Sequence, residues 1–208
     1  AICAEGDLAL TNETKTALSD AFVKTGTGML TINDDTFAAA ATVRVEAGTL
    51  KFVNTGKTTT ASTAGEIHIA NGARLDVNVD AGNGSNLART EVTHGKTVYV
   101  EGAGPDGEGA VLNSKTNNAW GCTFGRLVLV GDAWMGGPAC GNLSVRPLPN
   151  SRIPGSTLEG PGTLHVKGSG EGFGGIGQMA LHTVVCAVGG IVAERGAYLQ
   201  FEGPATGT

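Results

Sequence analysis

The sequence is poor in charged and aromatic residues. Of its 208 residues, 16% are charged, 5% are aromatic and only 7 are proline. An apolar content of 40% at this low charge excludes a disordered chain, which needs few apolar groups and a high net charge. No apolar run is long enough to cross a bilayer, so no membrane-spanning helix is expected. The net charge of −5 argues against a nucleic-acid partner, because binding to phosphates requires clustered lysine and arginine.

Glycine is abundant instead. The chain has 34 glycines, but they follow no three-residue period, and this excludes a collagen-like triple helix.

A chain of this length can form one domain that buries roughly 70% of the surface of its unfolded state, so we interpret residues 1–208 as a single domain. The first residues contain no Met and no signal-like segment, and residues 201–208 are mostly small. We therefore expect a segment of a longer protein or a mature secreted protein.

Short runs of alternating apolar and polar residues dominate the chain and predict β-strands. Four such runs are Met29–Ile32, Thr42–Val45, Glu66–Ile69 and Thr163–Val166. Only Asn12–Val23 has the spacing of a helix, although its threonines lower the helix propensity. The sequence therefore predicts an all-β fold.

A repeat becomes visible when the glycines between short strands are aligned. Gly48, Gly72 and Gly95 recur with a period of about 23–24 residues, and a fourth copy of the pattern spans residues 192–201. A glycine at such a turn can adopt a positive φ. This self-similarity favours a solenoid, because each coil buries its apolar side only against its neighbours. We expect a right-handed parallel β-helix of about 8–10 coils, with a β-sandwich or another antiparallel all-β fold as the alternative.

The alternation of side chains along each strand predicts which residues face the core. The inward set comprises Leu50, Phe52, Leu75, Val77, Val79, Val98, Val100, Leu199 and Phe201. The outward set comprises Thr49, Lys51, Arg74, Asp76, Thr97, Tyr99 and Gln200. Lys51 and Asp76 occupy equivalent positions on neighbouring coils in this register. We expect an ion pair between them that is worth a few tenths of a kcal/mol.

Two adjacent segments carry a resemblance to a known family. The pattern K-x-G-x-G-x-L occupies residues 24–30, and V-x-x-G-T-L occupies residues 45–50. Together they resemble the autotransporter-associated β-strand repeat, closely over residues 24–52 and in degenerate form over residues 65–202. The resemblance implies a β-helical passenger in a secreted or cell-surface protein of Gram-negative bacteria. It implies no single activity, because such passengers serve as adhesins, proteases, toxins or spacers.

The four cysteines predict disulfides if the chain is secreted. The interval from Cys122 to Cys140 is close to the length of one coil, so we expect a disulfide between adjacent coils. Two buried free thiols are the alternative. Cys3 and Cys186 should lie near opposite ends of the rod, too far apart for a bond that needs Cα atoms within about 7 Å.

Metal and nucleotide sites have weak support in the sequence. Glu101, Asp106 and Glu108 fall within one turn and are candidate calcium ligands, although a solvated acidic turn is the simpler interpretation. Residues 76–80 resemble the start of a calcium loop but lack its glycine and its final glutamate, so we interpret them as an outward polar row. Residues 172–177 match G-x-G-x-x-G without a helix after them, which favours a loop. No cofactor is expected.

Histidine and cysteine show no zinc-binding spacing such as Cys-x-x-Cys or His-x-x-x-His. His68 and His165 lie in alternating strands, where we interpret them as surface or packed residues. Trp120 and Trp134 flank Cys122 and are candidate contacts for sugar rings, with packing of a loop against the rod as the simpler alternative.

No enzyme signature emerges from the carboxylates. Glycoside hydrolysis requires two facing carboxylates at a fixed separation, and the adjacent Asp34 and Asp35 do not provide them.

We expect a non-enzymatic structural or adhesive β-helical stalk or passenger segment, secreted or on the cell surface. Its expected partners are neighbouring repeats, copies of itself stacked end to end, and surface glycans. The alternative is a carbohydrate-binding or polysaccharide-degrading β-helix, acting as a lyase or a hydrolase.

Overall fold

A computed structural model describes most of the chain. The described residues are 1–10, 21–33, 41–53, 65–78, 96–114, 122–137, 143–145, 156–168, 178–182 and 184–202. Their regular elements are all β-strands, and no helix occurs among them. The predicted helix over Asn12–Val23 is wrong at its C-terminal end, because residues 21–23 belong to a strand; residues 12–20 lie outside the described residues.

The strands are short in the first half of the chain and longer in the second. The first ten are β1 (Ile2–Cys3), β2 (Leu8–Leu10), β3 (Ala21–Thr25), β4 (Met29–Asn33), β5 (Thr42–Val45), β6 (Gly48–Val53), β7 (Glu66–Ile69), β8 (Ala73–Asp76), β9 (Thr97–Gly102) and β10 (Val111–Leu112). The others are β11 (Cys122–Phe124), β12 (Arg126–Gly136), β13 (Leu143–Val145), β14 (Ser156–Lys167), β15 (Gln178–His182), β16 (Val184–Ala193) and β17 (Tyr198–Glu202).

Neighbouring strands in the described part of the chain pair in parallel. One side of the sheet contains β1, β3, β5, β7, β9 and the first halves of β12, β14 and β16. The second side contains β2, β4, β6, β8, β10 and the second halves of those three strands. A third side consists of β11, β13, β15 and β17. This curled parallel arrangement is a β-helix, and the antiparallel alternative is wrong.

We call one turn of the solenoid a rung. The described strands form eight rungs, numbered from rung 1 with β1 and β2 to rung 8 with β16 and β17. The rungs differ in length, since the chain between paired residues of adjacent rungs is much shorter from Leu30 to Leu50 than from Leu75 to Val111. The period of about 23–24 residues predicted from the glycines therefore describes only the early rungs, and only approximately.

The interior of the solenoid is a stack of apolar side chains. It contains Leu50, Phe52, Leu75, Val77, Val98 and Val100 as predicted, each almost fully buried. The same core continues through later rungs with Phe124, Leu127, Leu129, Met135, Leu158, Leu164, Val166 and Leu181. Val79 lies outside the described residues. Because each side chain stacks on the equivalent position of the next rung, mostly medium-sized aliphatic residues fill the interior.

Two copies of the predicted repeat occupy other sides of the solenoid than expected. Val98 lies opposite Ile67 on the first side, whereas Leu75 lies opposite Leu50 on the second. Leu199 lies opposite Met179 on the third side. The inward and outward alternation was correct within each strand, but the glycine alignment assigned these strands to the wrong position in the rung. Strands on different sides share the same local pattern, so the pattern alone does not distinguish them.

Two glycines of residues 24–52, the family-like segment, lie where neighbouring rungs approach each other closely. A Cβ atom on Gly28 would lie 2.3 Å from the carbonyl oxygen of Gly6, and one on Gly48 would lie 2.4 Å from that of Gly28. Gly48, and Gly72 on the next rung, also have positive φ values of 64° and 82°, which an L-residue adopts only with strain. The corner at Gly48 therefore needs glycine for both steric and conformational reasons.

Burial departs from the predicted register at three positions. Arg74 and Asp76 point outward as expected, yet both are buried because residues 103–114 of the next rung cover them. Phe201 occupies the inward position opposite Leu181, but it is 65% exposed. It lies on rung 8, where the described residues provide no further rung to cover it.

Candidate functional site

The most developed side-chain cluster lies on the outer surface of the second side, across rungs 6 to 8. Trp134 and His165 face each other in the register of β12 and β14. Their rings stack with centroids 4.2 Å apart and planes inclined by 11°. Stacked rings at this spacing are typical of ladders on parallel sheets, since equivalent positions on adjacent rungs lie about 4.8 Å apart.

Glu194 joins this stack from rung 8. Its Oε1 accepts a hydrogen bond of 2.7 Å from the Trp134 indole nitrogen and lies 3.6 Å from His165 Nδ1. Its Oε2 lies 4.0 Å from Lys167 Nζ. One carboxylate thus lies next to three side chains, and all four groups are partly exposed.

Residues 103–110, the segment of rung 5 between β9 and β10, contact the same surface. Lys167 Nζ donates a hydrogen bond of 2.5 Å to the carbonyl oxygen of Gly107. Arg74 Nε donates one of 2.8 Å to the carbonyl oxygen of Gly109, and its guanidinium forms an ion pair with Asp106. The hydrogen bonds from Arg74 hold the pKa of Asp106 below its ordinary value. The segment is therefore fixed by charged side chains of rungs 4 and 7.

A second ring stack lies on the first side. His68 and Tyr99 occupy paired positions of β7 and β9, with ring centroids 4.7 Å apart and planes inclined by 7°. Glu66 Oε2 lies 2.8 Å from His68 Nε2. His68 and His165 are thus packed outer-surface residues, which agrees with their interpretation from the sequence.

The carboxylates of these surfaces are engaged with neighbouring groups. Glu159 pairs with Arg126, raising the pKa of that guanidinium, and Asp132 accepts a hydrogen bond of 2.8 Å from the backbone nitrogen of Thr163. Such contacts between rungs stabilise the outer surface. Chemically, the arrangement offers partly exposed aromatic rings next to fixed charges, which suits weak binding of polar ligands better than acid–base catalysis.

Of the two predicted glycan contacts, Trp134 is among the described residues. Trp134 lies in the cluster, half-buried, with one ring face against His165. Trp120 lies outside the described residues. Trp134 belongs to strand β12 and not to a loop, and part of its ring remains exposed to solvent.

The predicted calcium ligands do not form a common site in the part of the chain that the structure describes. Asp106 is bound to Arg74, and its Oδ1 also accepts a hydrogen bond of 2.9 Å from the backbone nitrogen of Glu108. Glu101 lies in β9, before the segment that carries the other two. The described residues contain no group of three or more His, Cys, Asp or Glu side chains that could hold a metal ion.

The residues resembling the start of a calcium loop form a structural network instead of an outward row. Asp76 Oδ1 accepts hydrogen bonds from the backbone nitrogens of Asn78 and Ser114, at 3.1 and 3.0 Å. Asn78 has a φ of 42° and donates a hydrogen bond of 2.7 Å to the carbonyl oxygen of Phe52. The predicted extended row is wrong here, because β8 ends at Asp76. Asp80 and residues 172–177 lie outside the described residues.

Lys51 and Asp76 form the predicted ion pair. They are opposite each other in β6 and β8, with Nζ and Oδ2 3.3 Å apart. Asp76 is more deeply buried than the prediction assumed, so the pair belongs to the hydrogen-bonded network between rungs 3, 4 and 5.

Cys3 and Cys186 lie at opposite ends of the described solenoid, as predicted, and both are free thiols. Cys3 lies on rung 1 and Cys186 on rung 8, and both are exposed. Cys122 begins β11, and Cys140 lies outside the described residues, so their disulfide stays a prediction.

Sequence reasoning missed the association of Trp134 with His165, Lys167 and Glu194. These residues are spread over three rungs of unequal length. The alternation of β12 and β14 places Trp134 and His165 on the outer surface, but only the register shows that they lie opposite each other.

Comparison with known proteins gives no family model, no curated protein and no solved structure that matches this chain. Within the part of the chain that the structure describes, no helix has the length and apolarity needed to cross a membrane.

Proposed function

We propose that this chain is a non-enzymatic structural segment, a β-helical stalk or passenger of a secreted or cell-surface bacterial protein. The observation that carries the proposal is the continuity of the parallel ladder over eight rungs with an apolar interior. A solenoid of this kind is stiff along its axis, because every rung is hydrogen-bonded to its neighbours. The family resemblance of residues 24–52 supports the same location and role.

The use of the charged residues also supports a structural role. Asp76, Asp106, Glu159 and Glu194 each contact a cation, an indole or a backbone amide of another rung. These contacts stabilise the folded chain and leave the carboxylates without the free pair geometry that glycoside hydrolysis requires. The outer faces would then provide adhesive contacts without chemistry.

A matched deletion tests the stalk. Thr49 lies opposite Arg74 in adjacent rungs, so removal of residues 49–73 would connect Gly48 to Arg74 and continue the solenoid in register with one rung fewer. With the chain placed between a membrane anchor and a fluorescent reporter, we expect the reporter to move about 4.8 Å closer to the membrane. A deletion of half a rung, residues 49–60, is the control and should disrupt folding. Unchanged reporter height in the folded one-rung variant would contradict a spacer function.

Glycan binding is the second candidate, favoured by the partly exposed Trp134 ring beside Glu194 and Lys167. An array of polysaccharides tests it with wild type and Trp134→Ala. Saturable binding by wild type that is lost in the variant would favour a carbohydrate-binding module. Cleavage of any polysaccharide on incubation would contradict the non-enzymatic proposal. A stalk predicts neither result.

A further inference from the structure

The outer surface of the second side carries a row of large side chains that is interrupted by one small residue. The pairing of Val111 with the rungs on both sides of it puts Ala110 between Arg74 and Trp134 in the adjacent outward row. Ala110 donates a backbone hydrogen bond of 2.7 Å to the carbonyl oxygen of Trp134, in agreement with this register. A methyl group therefore separates a guanidinium and an indole whose backbones lie two rungs apart, about 9.6 Å.

The indole of Trp134 presents its two faces to different rungs. His165 stacks on the face toward rung 7, with ring centroids 4.2 Å apart and planes inclined by 11°. The opposite face points toward rung 5, where the residue in the row is Ala110. A ring above Ala110 would lie one rung from the indole, at the spacing that His165 has on the other face, and one rung from Arg74. The spacing along the row therefore suits a ligand ring between the indole and the guanidinium.

A short loop of rung 5 covers this position. Residues 103–109, which we call the strap, are closed at their base by a hydrogen bond of 2.8 Å between the backbones of the first and last residues. Ala110 is fully buried and Arg74 is 8% exposed, although both positions are outward. Because the strap is bonded to Arg74 on rung 4 and to Lys167 on rung 7, it crosses the row between those rungs.

The strap has the composition of a segment that opens locally. Its sequence, Ala-Gly-Pro-Asp-Gly-Glu-Gly, contains no large apolar side chain, and Pro105, Asp106 and Glu108 are exposed. The ion pair between Asp106 and Arg74 attaches it to the row. Segments with few buried apolar contacts open at a lower free energy than the core. The strap can therefore open while the rungs beneath it stay folded.

Asp106 indicates what kind of ligand group the covered position accepts. Its Oδ2 lies 3.0 Å from a terminal nitrogen of the Arg74 guanidinium, and its Oδ1 binds the other terminal nitrogen. Opening of the strap removes this carboxylate from a side chain that is 10% exposed, and an unpaired cation at a buried position is costly. A ligand carboxylate restores the two-pronged contact, whereas a neutral ligand leaves Arg74 unpaired.

We propose that the strap is a reversible cover over a binding site for a uronate residue of an acidic polysaccharide. The pyranose ring stacks on the rung-5 face of Trp134, above Ala110, and its carboxylate replaces that of Asp106 on Arg74. Asp106 thus acts as an internal competitor that keeps the site closed. The inference rests on the glycan-binding candidate above, and it specifies the class of glycan and the element that controls access. An acidic peptide would supply the carboxylate but no pyranose ring for the indole.

Isothermal titration calorimetry with trigalacturonate tests the internal competitor. Asp106→Ala removes the competing carboxylate, and we expect this variant to bind about tenfold more tightly than wild type, because a larger fraction of its molecules has an open site. Glu108→Ala is the matched control, since it removes an exposed carboxylate from the same strap, and it should bind like wild type. Equal tightening by both variants would overturn the proposal, because it would show a general effect of negative charge.

The ligand chemistry is tested on the Asp106→Ala variant. The methyl ester of trigalacturonate keeps the rings but loses the charges, and it should bind about tenfold more weakly than the acid. Equal binding of acid and ester would overturn the contact with Arg74. Equal binding of a triglutamate peptide would overturn the assignment to a sugar and indicate an acidic peptide. No binding of trigalacturonate by either wild type or Asp106→Ala would overturn the site as a whole.

Aromatic variants test the stacking surface. In the Asp106→Ala background, Trp134→Ala should lower the affinity for trigalacturonate about tenfold. Tyr99→Ala is the control, because it removes a stacked ring from the first side, and it should leave the affinity unchanged. Far-UV circular dichroism verifies that each variant is folded. An unchanged affinity in folded Trp134→Ala would overturn the stacking.

Indole fluorescence provides a second measurement that needs no change at Trp134. The chain has two tryptophans, so Trp120→Phe leaves Trp134 as the single reporter, and its emission should shift on titration with trigalacturonate. Binding without any shift would overturn the stacking. Binding of neutral glycans alone, lost in Trp134→Ala, would support the glycan-binding candidate and overturn the uronate site. None of these results affects the one-rung deletion test of the stalk.

Discussion

The ammonium group of Lys24 donates a hydrogen bond of 2.9 Å to the carbonyl oxygen of Ala47 on the following rung. It also donates to the carbonyl oxygens of Thr25 and Gly26, at 3.1 and 2.5 Å. The three donors of the ammonium are thus matched by three acceptors. Lys24 is fully buried in an inward position opposite Val45, and burial lowers its pKa. The lysine of the family-like segment therefore joins two corners from inside the solenoid.

Replacing this lysine by methionine should destabilise the fold. Lys24→Met keeps the length of the side chain but removes the donors of three carbonyl groups, and we expect a loss of about 2 kcal/mol. Denaturant unfolding measures it, with Arg44→Met as the control. Arg44 is exposed on the next rung, and its replacement should change stability by less than about 0.5 kcal/mol. A Lys24→Met variant as stable as wild type would mean that the free-energy cost of burying the ammonium group cancels the stabilisation by its hydrogen bonds.

The ion pair between Arg74 and Asp106 should make stability depend on acidic pH. The pKa of Asp106 lies below the ordinary value of 3.8 in the folded state because of its hydrogen bonds from Arg74. The ionised carboxylate therefore stabilises the fold above that value, and the contribution is lost as the pH falls through the lowered pKa.

Thermal unfolding of Asp106→Asn tests this dependence. At pH 7 the variant should be less stable by about 1 kcal/mol, because the largely buried Arg74 loses an ionised partner whose own charge is partly screened by solvent. The difference from wild type should shrink as the solution is acidified below the ordinary value. Glu108→Gln, which removes an exposed neighbouring charge, is the control. A difference that stays constant on acidification would show that Asp106 acts through shape alone.

Alanine substitutions at three glycines distinguish the steric need for glycine from the need for a positive φ. A Cβ on Gly162 would lie 1.9 Å from the carbonyl oxygen of Gly131, so Gly162→Ala should cost about 3 kcal/mol or prevent folding. Gly72 has a φ of 82° but open space around it, so Gly72→Ala should cost only about 1 kcal/mol. Gly6→Ala has neither constraint and should be neutral. Unfolding free energies in another order would contradict the close approach of the rungs.

The pair of Lys51 and Asp76 should be asymmetric when each partner is removed. Asp76→Ala leaves the backbone nitrogens of Asn78 and Ser114 without their acceptor, and we expect a loss of about 2–3 kcal/mol. Lys51→Ala removes one partly exposed cation and should cost less than about 1 kcal/mol. A double-mutant cycle in urea measures the direct coupling, which should be a few tenths of a kcal/mol. Equal losses for both single variants would contradict the network around Asp76.

Several features of the fold could be predicted because they depend on local periodicity. Alternation assigned strands over Thr42–Val45 and Glu66–Ile69 with the observed bounds, and it placed Leu50 and Leu75 in the core. The Lys51–Asp76 pair followed because rungs 3 and 4 are close to the expected repeat length. Prediction failed for Val98 and Leu199, whose strands carry the same alternation but lie on other sides of the rung.

The class of structure could be read from local patterns, because alternation indicates strands and glycine marks the corners between them. The stacking of the strands could not be read in this way, because rung length varies and the register between rungs depends on contacts between residues that are distant in the chain. That register creates the Trp134–His165–Glu194 cluster, buries Lys24 among carbonyl groups and covers Arg74 with the next rung. It also places Arg74 and Trp134 on either side of Ala110 in one outward row, a relationship that their distance along the chain conceals.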